Sequence, residues 1–345
     1  MSRRLRLVSV GVDVDVEDRT GRHLPALARA AGLPPGADGH PGPGQPPVRI
    51  VVEQAHRRFD TRGHVPVTRG AWADGRTVVL DSAGGSGFCQ RWEVCEDHVT
   101  VRSRWTPGGL ELAASAVRSR HDALRAQTLL HHPALWWAGT LGLAPLHVSV
   151  LDLDGVVVAL AGPGGVGKST LVADALAAGA RATCDNVAVS DGTMAYGLRE
   201  ALRLHTSGEA ADGVVVAGRR TTHGRRESAW DGQVPALRPD LLVVVRRGNG
   251  PRVRAVGPER AQRALVAGTF AAGELRRFWT LTAVLGLATG RGPVLPEVER
   301  VARALTSRVP CFELELASEP GLSLRSVLAR LLREVREIRK ARVSR

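Results

Sequence analysis

The sequence predicts an α/β domain over residues 121–345, preceded by a smaller, mostly β domain over residues 1–120. Three observations carry this. The stretch Gly162-Pro163-Gly164-Gly165-Val166-Gly167-Lys168-Ser169-Thr170 fits the phosphate-loop pattern G-x-x-x-x-G-K-[ST]. An apolar, β-branched run, Gly155 to Ala161, leads into it, and a helix-forming run, Leu171 to Gly179, leaves it. Beyond it, strand-like and helix-like stretches take turns, whereas the first 120 residues carry short β patterns divided by turn signals.

In order, alternation over Leu5 to Val16 predicts an early strand, and His23 to Ala31 a short helix. Gly32 to Pro47 is dense in glycine and proline and reads as a loop. Strands are expected at Val48 to Val52, Thr77 to Leu80, Arg91 to Val94, His98 to Trp105 and Leu110 to Ala114. A helix over His121 to Trp137 leads into the second domain, with Trp136-Trp137 as packing at an interface. Leu146 to Leu153 is a strand turning at Asp154-Gly155 into the strand before the phosphate loop. Arg181 to Val189, Leu241 to Val245 and Cys311 to Leu316 are further strands; Pro258 to Ala267, Ala272 to Ala288 and Glu297 to Ser307 are helices. The tail, Ser323 to Arg342, places Leu324, Val327, Leu328, Leu331, Val335 and Ile338 on one helical face, as a terminal helix docked on its own domain or as a membrane or partner helix.

Composition bounds the function. The 345 residues carry 47 Lys and Arg against 34 Asp and Glu, a net charge of +13, which raises nucleic acid or a membrane surface as partners. The basic residues are scattered, however, and aromatic residues make up only 4%, too few for base stacking, so nucleic acid is not the expected partner. Arginine supplies nearly all the positive charge; only Lys168 and Lys340 are lysines, and one of them stands where the phosphate loop requires it. The four cysteines form neither C-x-x-C nor a disulfide framework. No run reaches the length of a membrane span, and acidic residues interrupt the stretch after Ser2-Arg3-Arg4, so a cytoplasmic protein is expected.

The loop's chemistry follows from its residue types. Glycines admit a phosphate close to the backbone, and successive amides at a helix start offer donors. Lys168 would reach the β- and γ-phosphates of a nucleotide, and Ser169 would ligate Mg²⁺. The usual acid at the end of a neighbouring strand is not at Leu241 to Val245, which runs into Arg246-Arg247. Asp185 is the better metal ligand, with Asp191 as runner-up; a turn or cap is the structural alternative for Asp185. His147 either donates to a phosphate or is an ordinary structural histidine. The arginines of His223-Gly224-Arg225-Arg226 either clamp phosphates or sit solvated in a loop.

Leu146-His147, the hairpin, Gly162 to Thr170, Gly179-Ala180-Arg181 and Cys184-Asp185-Asn186-Val187 together resemble the kinase domain of HPr kinase/phosphorylase and its relatives, by motif over residues 140–200 and by layout over 140–316. The resemblance implies a P-loop kinase-like domain of the HPr kinase and PEP carboxykinase kind. It implies ATP and Mg²⁺ as cofactors and a serine hydroxyl of a protein or peptide as acceptor. It gives His147 as active-site histidine, Lys168 as phosphate ligand, Ser169 and Asp185 as metal ligands, and Glu200 as a loose match to a later metal-binding glutamate. The family's second acid, its general base, falls on Asn186, which cannot take a proton. The residues leave two alternatives beside a kinase. One is a nucleotide-binding regulatory or scaffold protein, or weak ATPase; the other, resting on charge alone, is a nucleic-acid-handling ATPase.

Overall fold

The computed structural model describes residues 3–34, 45–204, 214–221, 224–230, 232–316 and 324–343. Most of the loop expected over Gly32 to Pro47, and His223 of the arginine loop, lie outside them. The early strand is a hairpin, Arg3–Ser9 and Val12–Asp18, because Val10 and Gly11 both take positive φ (51° and 73°) and turn the chain. Alternation sends Leu5, Leu7, Val12, Val14 and Val16 to one buried face. The hairpin opens an eight-stranded sheet whose central strands Val48–Glu53 and Val99–Trp105 pair in parallel.

Leu110 to Ala114 is not a strand. Gly109–Ser115 is a helix, since the Glu111 carboxylate accepts from the Gly108 N–H at 2.6 Å and closes the first turn. With Leu110 90% exposed, no sheet face claims this segment. The expected helix at His121 to Trp137 runs as Arg118–Ala126, a wider turn over Gln127–His131, and His132–Thr140. It buries Trp136 edge-on against Trp92 with ring centroids 5.7 Å apart. One hydrophobic cluster joins the front sheet to this helix and to Phe278, Leu281 and Leu285 of helix Arg276–Thr289, so the packing runs continuously across residue 120.

A six-stranded sheet follows, ordered Arg181–Cys184, Val148–Leu153, Val156–Ala161, Leu241–Arg247, Cys311–Leu316, Arg252–Ala255. Its strands alternate between two apolar faces. Val156, Val158 and Leu160 pack under helix Lys168–Ala177 and under Leu328, Leu331, Leu332 and Val335 of the tail helix Leu324–Val343. The tail therefore docks on its own sheet. Val157, Ala159 and Ala161 pack under helices Pro258–Ala271 and Val298–Arg308. Two smaller antiparallel sheets complete a mixed α/β architecture.

Two strands expected as continuous are broken. The first runs as Ala144–Leu146 and Val148–Leu153, interrupted at His147; the second as Arg181–Cys184 and Ala188–Ser190, interrupted at 185–187. Their far halves pair with each other in a four-stranded sheet, their near halves in the six-stranded one.

Candidate functional site

Strand Val156–Ala161 ends at Gly162, and helix Lys168–Ala177 begins at Lys168, so the loop occupies 162–167 as the motif requires. Gly162 holds φ at +145°, and a Cβ there would meet the Val245 carbonyl oxygen at 2.4 Å; Gly167 at φ +108° turns the chain into the helix. Pro163, Gly164 and Gly165 are exposed, so the rim is open to solvent. Lys168 is 5% exposed, and its Nζ donates to the carbonyls of Gly162 (2.8 Å) and Pro163 (3.1 Å). Burial brings its pKa down to about 8, against the opposing pull of Asp185 and Glu274.

The broken strands bring the other expected residues to this loop. The Ser169 hydroxyl interacts with the Asp185 carboxylate, which is 3% exposed and leaves Oδ1 without a partner. Burial raises the Asp185 pKa despite Ser169, Arg203, Lys168 and Arg225. His147 Nε2 lies 2.9 Å from Asn186 Oδ1, and the His147 N–H donates to Thr269 Oγ1 at 3.0 Å. Burial and the Lys168 charge press its pKa down to about 4. Asp191, the runner-up, is a turn former: its Oδ1 accepts from the N–H groups of Thr193 and Met194. Of the arginine pair, Arg226 begins strand Arg226–Trp230. Arg225 interacts electrostatically with both Lys168 and Asp185.

Glu200 is 2% exposed, and its Oε1 has no partner. Burial raises its pKa to about 8, with Asp185 and Glu274 adding to the rise and Arg203 opposing it. Two buried carboxylates, each harder to ionise for its burial and each with an orphaned oxygen, fit a site for a hard divalent cation. Among the described residues no three or more His, Cys, Asp or Glu group into a metal site of their own. Mg²⁺ here would be held by Ser169 and Asp185 and completed by phosphate and water oxygens, as its chemistry favours.

Sequence reasoning missed Glu274 and Arg203. Arg203 donates to Glu274 Oε1 at 2.9 Å and approaches Glu200 Oε2 at 3.6 Å. Glu274 is electrostatically tied to His147, Lys168 and Glu200. It sits on the turn between helices Pro258–Ala271 and Arg276–Thr289, in a stretch expected as helix. No local pattern marks it, because its role comes from Gly268 abutting Gly162 and Thr269 anchoring His147. Arg203 also lines a polar recess with Arg29, Asp122, Gln127, His131 and Glu227.

No protein-family model matches the chain. No curated protein matches its sequence. Among solved structures, the Hpr(Ser) kinase/phosphatase from Coxiella burnetii aligns with 58% of this chain and 94% of its own, at 13% identity and a TM-score of 0.28. Among the described residues no helix is long and apolar enough to cross a membrane.

Proposed function

We propose that the chain is an ATP- and Mg²⁺-dependent phosphotransferase of the HPr kinase kind, acting on a serine hydroxyl of a protein or peptide. What supports the reading most is one meeting point: the loop lysine lies inside the loop, and the first hydroxyl of the loop helix rests on a buried aspartate. In this reading the amides of Gly162 to Thr170 and the Lys168 ammonium hold the β- and γ-phosphates. Ser169 and Asp185 hold the metal, which neutralises charge on the transferring group. His147, fixed by Thr269 and Asn186, orients that group. Arg225, beside Lys168 and Asp185, adds positive charge to the same cleft.

Titration calorimetry with ATP tests the binding half: Lys168→Ala and Asp185→Ala should each weaken affinity at least tenfold, the second only in the presence of Mg²⁺. Labelled ATP with a cell lysate tests the transfer half, where a labelled band that depends on Lys168 is expected. Asn186 favours a second reading, a nucleotide-binding regulatory protein without transfer. Tight, Lys168-dependent nucleotide retention with neither labelled acceptor nor phosphate release would establish it instead.

A further inference from the structure

Phosphoryl transfer to a hydroxyl releases a proton, and Asn186 cannot take it. Three carboxylates surround the loop. Asp185 is 3% exposed and already engaged by Ser169; Glu200 is 2% exposed and lies against Asp185 and Arg203. In the reading above Asp185 is committed to the metal, and Glu200 is closed off by burial. The Glu274 side chain is 33% exposed, and it alone of the three is open to a substrate.

Its placement is determined by packing. A Cβ on Gly268 would lie 3.7 Å from the Gly162 carbonyl, and Thr269 takes the His147 N–H, so the helix end before Glu274 is seated on the phosphate loop. The Glu274 carboxylate interacts with the Asn186 side chain, though Asn186 Nδ2 makes no fully formed hydrogen bond. Arg203 fixes its Oε1 at 2.9 Å. We propose that Glu274 is the general base for the acceptor hydroxyl, supplying the carboxylate that position 186 lacks; this rests on the phosphotransfer reading above. The hydroxyl oxygen bonds to the γ-phosphorus as the bond from that phosphorus to the β,γ-bridging oxygen breaks. ADP leaves with that electron pair, and the hydroxyl proton passes to Glu274 and on to solvent. The groups facing Glu274 are Arg203, His147, Lys168 and Glu200. Burial works against its ionisation, but Arg203 and its other partners prevail and hold its pKa below the usual range, so it is a carboxylate at neutral pH.

The test uses the full chain, MgATP and water as acceptor, with phosphate release as the readout and MgATP affinity measured in parallel. Glu274→Gln should lower release by about 10²–10⁴-fold, the usual share of a general base, at unchanged affinity. Glu274→Asp should retain part of the rate. The double variant Glu274→Gln with Asn186→Asp should regain at least tenfold, since it returns a carboxylate to the neighbouring position. A Glu274 that only braces Arg203 would be replaced adequately by Gln and would gain nothing from Asn186→Asp. Release by Glu274→Gln within threefold of the unmodified chain, or no rescue in the double variant, overturns the assignment. An unmodified chain that binds MgATP but neither releases phosphate nor labels an acceptor in lysate overturns the phosphotransfer reading itself, and that outcome is seen before any variant is made.

Discussion

Replacing Glu200 by Gln should make the protein's stability less sensitive to alkali. The Glu200 carboxyl is buried with an unpartnered Oε1, and its pKa stands at about 8 against an ordinary 4.5. A folded pKa above the unfolded one means that the native state binds the proton more tightly. The group's full contribution to stability is present below pH 4.5 and is lost as pH rises toward 8. Between pH 5 and pH 7 two units pass inside that window, which at 1.36 kcal/mol per unit amounts to about 3 kcal/mol as a ceiling. Gln has no proton to release, so the stability difference between the two proteins should move by up to that amount in the variant's favour. Urea unfolding of both proteins at pH 5, 6, 7 and 8, with chelator present, measures it. Taking the difference cancels His131, His132 and His147, whose lowered pKa values give the opposite slope at acid pH. A difference that stays flat across this range would show Glu200 ionised in the native state, and the argument from two buried carboxylates awaiting a cation would fail with it.

Gly162→Ala should abolish nucleotide binding and lower the melting temperature, because the new Cβ would stand 2.4 Å from the Val245 carbonyl at a φ that favours glycine; unchanged calorimetric affinity would contradict the loop geometry. Affinity for ATP should decline as pH rises through about 8, where Lys168 loses its proton, and Lys168→Met should weaken binding at least tenfold and remove that decline. Thr269→Val should cost about 1–3 kcal/mol in urea unfolding, since it keeps the volume but leaves the His147 N–H and the Leu265 carbonyl without their hydroxyl partner. A cost below about 0.5 kcal/mol would mean that solvent already reaches His147.

The strand, loop and helix around 156–177 were legible because a local rule fixes each part: β-branched residues in a row, glycines where φ turns positive, helix formers after Lys168. The breaks at His147 and at 185–187 were not. Leu146 to Leu153 and Arg181 to Val189 are apolar enough to read as single strands, and only the pairing of their halves in two sheets divides them. Leu110 and Leu112 misled in the other direction, since an apolar residue is evidence for a strand only if a sheet covers it, and both are exposed. Glu274 and Arg203 were out of reach for a third reason: they meet each other across 71 positions of chain, and the other partners of Glu274, His147 and Lys168, are farther still.

Those breaks also explain why the site lies where it does. Where two paired strands leave one sheet for another, the ladder cannot satisfy their backbone groups, and each must find a partner elsewhere. The His147 N–H finds Thr269, and the Asp185 carbonyl takes the Ser149 hydroxyl. Thr269 does this from outside the sheet, so helix Pro258–Ala271 is held against the step, and Glu274 follows three residues after its end. The loop strand Val156–Ala161 is hydrogen-bonded to one of the two stepped strands. A catalytic reading that treated the phosphate loop alone as the site would miss this: the loop supplies the grip, while the step between sheets assembles His147, Asp185, Asn186 and Glu274 beside it.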